Sequence, residues 1–225
     1  MAITPEALRS AFAGFPPGEC SGMPGITEVV DEPVPAEIRE RLLTGRRSAA
    51  VLIPILQSGP QAPLRLLLTQ RTAHLRDHAG QISFPGGGLN PGESATEGAL
   101  REAQEEICLN PAQVEIFGQM PQYHTGTGFS VSPMIGFVQT PCDLTPDPGE
   151  VAEIFDVPLD FILDPRNMRQ ETRYYRGAWR SFLAVPWAGY YIWGATAGML
   201  AQLSRIVREM DRHKSLLKPA LNMIS

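Results

Sequence analysis

The sequence predicts an α/β protein whose sheet is covered on both faces, and three observations carry that expectation. Residues 49–56 and 64–69 are strand-length runs in which apolar side chains follow one another with little polar interruption. Strands buried on both faces read this way, whereas half-buried strands alternate. Ser94 followed three residues later by Glu97 is a capping-box pattern, and Ala99, Ala103 and Ile107 then recur at helical spacing, with Leu100 beside them. From Thr196 onward, Met199, Leu200, Leu203, Ile206, Val207 and Met210 line one face of a second helix.

Taken in order, residues 5–13 form a short helical patch and 14–35 a loop rich in Gly and Pro, with a second helical candidate over 36–43. Ser58-Gly59-Pro60-Gln61-Ala62-Pro63 is turn chemistry, which makes 49–56 and 64–69 a hairpin. Residues 114–120 and 131–140 read as further strands. The loop between them carries Tyr123, whose ring is a candidate to stack on a base. Residues 141–149 are a Pro-rich loop, a strand resumes over 150–159, and 173–176 with 179–185 form a late hairpin around Gly177-Ala178. The expected organisation is an N-terminal arm over 1–47, one domain over 48–215 and a tail over 216–225.

Composition bounds the function. With 43% hydrophobic and 19% charged residues, the 225-residue chain is an ordinary globule with enough length to bury a core. A net charge of −5 without a basic run argues against a nucleic-acid surface. No apolar run approaches the ~20 residues of a membrane span, so no membrane partner is expected. Cys20, Cys108 and Cys142 are far apart and in no zinc spacing, which reads as free thiols. Together with an N-terminus lacking a basic and apolar leader, this gives a cytoplasmic expectation.

The chemistry concentrates in Phe84-Pro85-Gly86-Gly87-Gly88-Leu89-Asn90-Pro91-Gly92-Glu93 and the helix that follows. Glu102, Glu105 and Glu106 stand at i, i+3 and i+4. Like charges so spaced cost a helix roughly 0.2–0.5 kcal/mol per pair. Only Arg101 is near enough in sequence to offset them, and Glu97 and Glu105 compete for it. A hard divalent cation takes oxygen ligands and would turn this repulsion into a binding site. An isolated pair of glutamates is more often a solvated face, but the spacing here is G-x5-E-x7-R-E-x2-E-E. Its six fixed positions coincide by chance about once in 10^7 starting points at average residue usage.

Gly87, Glu93, Arg101, Glu102, Glu105 and Glu106 in this spacing resemble the Nudix box of the Nudix hydrolase family. Cys108 stands where the family usually has Gly. A left-handed helix end there would cost a non-glycine residue about 1 kcal/mol. Gly98, inside the helix, costs about 1 kcal/mol against Ala, which points to close packing against another backbone. Upstream, Leu67, Leu68, Thr69, Arg71, Arg76, Gly80, Phe84, Pro85, Gly86 and Gly87 are similar to the motif L-L-T-x-R-[SA]-x3-R-x3-G-x3-F-P-G-G of the coenzyme A pyrophosphatase branch. Thr72 replaces the usual Ser or Ala.

The resemblance implies an α/β/α sandwich on a mixed sheet, with the box as loop–helix–loop, over roughly residues 49–210. It implies hydrolysis of coenzyme A, or an acyl derivative, to 3′,5′-ADP and 4′-phosphopantetheine with Mg²⁺ or Mn²⁺. Glu102, Glu105 and Glu106 are then the metal ligands, joined by the Gly86 carbonyl. Arg101 orients the carboxylates, Glu93 supports it, and either Glu150 or Glu153 supplies a late carboxylate as ligand or base. Arg71 and Arg76 suit the substrate phosphates because a guanidinium fork matches phosphate oxygens. Gly87 lets the backbone approach the diphosphate. The alternatives are a Nudix hydrolase of ADP-ribose-like or dinucleoside substrates, and a Nudix module that binds a nucleotide without turnover. The N-terminal arm and the apolar C-terminal helix make a homodimer an expectation.

Overall fold

The structure, a computed structural model, describes residues 3–13, 46–59, 62–75, 78–125, 127–175 and 178–221. The expected loop over 14–35 and helix over 36–43 lie outside the described residues. Helix α1 (Pro5–Phe12) starts at Thr4, whose side chain accepts from the Ala7 amide at 3.2 Å. It buries Leu8 and Phe12 completely, and the Phe12 ring meets Phe117 edge-on at 6.1 Å. This end of the chain is therefore part of the core.

Strands β1 (Arg47–Gln57) and β2 (Arg65–Arg71) form the expected hairpin, but they pair only at its closed end, Ile55 with Leu66 and Leu56 with Arg65. Beyond that the two strands part. Short strands β3 (Ile82–Ser83) and β4 (Gly86–Gly88) fill the fork, β3 against Thr69 and Gln70 of β2 and β4 against 49–51 of β1. The glycine-rich run is thus a bridge inside the sheet. An added Cβ at Gly86 would overlap the Ala50 carbonyl, so the close approach demands glycine there.

Helix α2 (Ala95–Ile107) follows, then β5 (Val114–Gln119), β6 (Tyr123–His124) and β7 (Phe129–Gln139). Strand β7 runs parallel to β1 along its whole length, while β5 and β6 pair with β7 antiparallel. Strand β8 (Val151–Pro158) takes the free edge of β2 with a register shift at Gln70/Arg71. The sheet is mixed, with the order β3-β2-β1-β7-β5.

After the short helix α3 (Leu159–Leu163) come β9 (Arg169–Tyr175), β10 (Ala178–Trp187) and β11 (Tyr190–Trp193), a separate antiparallel sheet. Helix α4 (Gly194–Leu221) closes the described chain.

The unbroken apolar run of β1 is explained by two cores. Ala49, Ile53 and Ile55 face one cluster, shared with Leu8, Phe12, Val185, Ile192, Leu200 and Leu203. Ala50 and Leu52 face the other, shared with Ala99, Ala103 and Ile107 of α2. The sheet lies between helices, as expected of the sandwich. Among the described residues, no helix is long and apolar enough to cross a membrane.

Candidate active site

Helix α2 is held at its start by the expected capping box. The Ser94 hydroxyl accepts from the Glu97 amide at 3.2 Å, and the Glu97 carboxylate accepts from the Ser94 amide at 2.9 Å. The Ser94 hydroxyl also donates to the Glu97 carboxylate at 2.7 Å, and this bond first, then that of the Ser94 amide, holds the Glu97 carboxyl below its usual range. Gly98 is fully covered, and an added Cβ would overlap the Leu89 side chain. The close packing expected of this glycine is real, but its neighbour is a side chain rather than a backbone.

Arg101 organises the next turn. Its Nε and Nη2 reach both Glu93 oxygens at 2.7 and 3.0 Å, and Nη2 also donates to the Gly88 carbonyl at 3.1 Å. Nη1 donates to Glu102 at 2.8 Å and to Glu105 at 3.0 Å. Arg101, helped by the Asn90 amide, drops the Glu93 carboxyl to about 2. Glu93 first, then Glu102, drive the guanidinium above its usual value. Arg101 therefore fixes the loop to the helix; of its two expected competitors Glu105 shares it, whereas Glu97 is taken up by Ser94. The Gly88 carbonyl in this network had no side-chain signal in the sequence.

The far end of the helix is different. Glu106 is 3% exposed; it accepts from the Gly86 amide at 3.2 Å and from Arg71 Nη1 at 3.4 Å. Burial pushes its carboxyl up to about 7, against the lowering effect of Gly86 and Arg71, while Glu102 and Glu150 push it further up. An added Cβ at Gly87 would overlap the Glu102 carboxylate, so Gly87 opens the space that Glu102 occupies. The three carboxylates of the helix have different partners. Arg101 holds Glu102 and Glu105 on one side, Glu105 largely in solvent, while Gly86 and Arg71 hold Glu106 on the other. Among the described residues, no three His, Cys, Asp or Glu side chains gather as a metal-holding group.

The residues nevertheless fit a divalent cation in kind. Glu106 is a buried carboxylate with two long polar contacts, and a negative charge so placed calls for a cation. The half-buried carboxylate of Glu102 is near enough to raise it.

The helix ends in the geometry that Cys108 was expected to resist. Cys108 has φ 55° and ψ 24°, a left-handed cap, and its amide donates to the Ala103 and Gln104 carbonyls. The loop over 141–150 then folds back on the helix end. The Thr145 amide donates to the Ile107 carbonyl at 3.1 Å and the Asp147 amide to the Glu106 carbonyl at 2.8 Å. Free carbonyls at a helix end require such partners. The same loop delivers Glu150, whose Oε2 is 3.6 Å from Arg71 Nη2.

This separates the two late carboxylates. Glu153 pairs in register with Gln70, two positions from Phe155, whose ring stacks on Tyr190 at 3.8 Å on the side of the sheet away from α2. Its carboxylate accepts from the Tyr190 hydroxyl at 2.6 Å. The alternation of strand side chains puts Glu153 on the wrong face for the site, so Glu150 is the late carboxylate near Glu106.

Two other expectations change. Tyr123 is 2% exposed in the main core, with its hydroxyl against Gly198 of α4, so its ring presents no face to a base. Arg76 lies outside the described residues. Thr72 is buried, and its hydroxyl donates to the Gly149 carbonyl at 3.3 Å, so this departure from the motif ties β2 to the loop before β8.

The NUDIX domain profile matches residues 45–183, and the chain belongs to that family. An uncharacterized Nudix hydrolase, NudL, of Citrobacter koseri is 40% identical over 160 residues, covering 71% of this chain and 82% of its own. The NudL of Escherichia coli K12 is 39% identical over 159 residues, 70% of this chain and 81% of its own. Among solved structures, a MutT protein from Methanosarcina mazei Go1 is 22% identical. It covers 75% of this chain and 94% of its own, with a TM-score of 0.45. Nudix hydrolases generally use divalent metal ions, and the chain is a member of that hydrolase family.

Proposed function

We propose that the protein hydrolyses the pyrophosphate bond of coenzyme A, or of an acyl derivative, to 3′,5′-ADP and 4′-phosphopantetheine. The observation that carries the reading is the contact of Arg71 with Glu106 at 3.4 Å, which joins the motif over 67–87 to the Nudix box in one site. Water adds across the P–O–P linkage: its oxygen ends on one phosphorus, the other phosphate leaves with the bridging oxygen, and a proton is released. A divalent cation, Mg²⁺ or Mn²⁺, supplies charge neutralisation and polarises the phosphoryl group when bound.

Glu106 and Glu102 are the carboxylates that hold the cation, with Glu105 and the Gly86 carbonyl as further ligands. Arg101 orients Glu102 through the network it shares with Glu93. The glycine-rich entry to the helix offers backbone groups to the diphosphate at Gly87, and Arg71 and Arg76 meet its oxygens. Glu150 is the candidate to take the proton from the attacking water.

The test is incubation of the protein with coenzyme A and Mn²⁺, with products separated by chromatography. The expected result is release of 3′,5′-ADP, at least about 100-fold slower for Glu106→Gln. Intact coenzyme A beside rapid turnover of ADP-ribose or dinucleoside polyphosphates would move the substrate to that class. Nucleotide binding without metal and without product would make the chain a binding module.

A further inference from the structure

Arg71 and Arg101 are both guanidinium groups beside the box carboxylates, yet they are bound very differently. Every contact of Arg101 lies at 3.1 Å or less. Arg71 is more covered, with 23% of its side chain exposed, but its contacts are 3.4 Å to Glu106 and 3.6 Å to Glu150. Its Nε is buried with no hydrogen-bond partner among the described residues. Arginine carries five donors in a rigid fork, and burying them under-used costs free energy. Arg71 is therefore held by one long hydrogen bond to Glu106 and by charge towards Glu150. Two negative groups and one positive leave this trio with a negative excess.

We propose that Arg71 is the resident counter-ion of Glu106, that the divalent cation displaces it, and that it then stays paired with Glu150 and turns its free donors to the substrate diphosphate. The inference rests on the reading of Glu106 as a metal ligand. Arg71 already sets a positive charge on Glu106 Oε1, and a divalent cation brought to the same carboxylate is repelled by it, so the two compete for Glu106. Release from Glu106 leaves Arg71 with one carboxylate partner and most of its fork open, the form that grips phosphate. Cation binding thereby prepares the phosphate contact, which makes the preferred order cation first and diphosphate second. Glu150 acts here as a positioning residue that keeps Arg71 at the site during the exchange.

The experiment needs no turnover. Mn²⁺ affinity is measured by electron paramagnetic resonance in the substrate-free wild type, Arg71→Gln, Glu106→Gln and the double variant. Loss of the competitor should tighten Mn²⁺ binding roughly tenfold in Arg71→Gln, the size of an ordinary coupling between sites. The gain should disappear when Glu106 is already Gln. Arg71→Lys, which keeps the charge, should stay within about threefold of wild type, and Arg71→Met, which removes it, replaces the Gln variant should that fail to fold. With Mn²⁺ saturating, inorganic pyrophosphate should bind Arg71→Gln roughly tenfold more weakly than wild type.

Unchanged or weaker Mn²⁺ binding in Arg71→Gln overturns the proposal. So does an equal gain in the Glu106→Gln background, which would mean a charge acting at a distance. If Glu106→Gln alone leaves Mn²⁺ affinity untouched, the metal assignment falls and this inference with it. A protein that passes these tests but leaves coenzyme A intact retains the exchange and loses only the substrate reading.

Discussion

The two ends of helix α2 differ in how completely their polar groups are satisfied. At the N-terminal end, Ser94 and Glu97 close a capping box, and beside it Arg101 bridges Glu93, Glu102, Glu105 and the Gly88 carbonyl. At the C-terminal end, a buried glutamate keeps a raised carboxyl, an arginine lies at long range, and a cysteine adopts a left-handed cap. The first end holds the loop to the helix. The second is where local stability has been given up, which is how reactive sites are commonly arranged.

The contrast is most directly broken at Glu106. Its carboxyl is raised from 4.5 to about 7 in the folded protein. Below pH 4.5 both folded and unfolded states hold the proton, and the group is neutral to stability. As pH rises from there to 7, the unfolded state loses the proton first, so the metal-free protein is destabilised, by about 3 kcal/mol at the upper end. Glu106→Gln should therefore be more stable than the metal-free wild type at pH 8 while losing at least about 100-fold in activity. The stability difference should close near pH 4.5 in denaturant titrations. A variant less stable at every pH would show that Glu106 supports the fold.

At the opposite end the sign reverses. Arg101→Met leaves Glu93, Glu102 and Glu105 without their shared cation and should lower stability by about 1–2 kcal/mol, read from urea midpoints. Indifference to that change would mean the network is no firmer than an exposed ion pair. Cys108→Gly should add about 0.5–1 kcal/mol because the left-handed cap suits glycine. A loss would show that the exposed thiol contributes something the cap geometry does not account for.

The smallest expected effect is Gly98→Ala. A gain of about 1 kcal/mol in helix propensity opposes displacement of the Leu89 side chain, and the net change should lie within about 0.5 kcal/mol of zero. Adding Leu89→Ala removes the obstruction but also takes a partly buried apolar side chain from the core. The double variant should therefore show the propensity gain only as non-additivity between the two changes.

Much of this was legible in the sequence because it is local. The capping box, the α2 stripe and the β1–β2 hairpin depend on spacing within a few residues. The run over 49–56 also announced both cores, because a strand covered on two faces has no polar side to show. Its failures were equally physical. Glu102, Glu105 and Glu106 share a helix face by spacing, but spacing does not show that Arg101 holds the first two and Arg71 meets the third. Tyr123 looked like a loop aromatic until β6 paired with β7 and turned it into the core.

By itself, then, the sequence determined the chemistry available: hard oxygen donors on one helix, a glycine-rich entry to it, and arginines upstream of both. Only the tertiary structure decided which of these meet. The choice of Glu150 over Glu153 depends on a strand register and on a loop that folds back to satisfy the carbonyls at the end of α2. The setting of Glu106 near neutrality depends on burial, and burial is a property of the packed chain and not of any stretch of it.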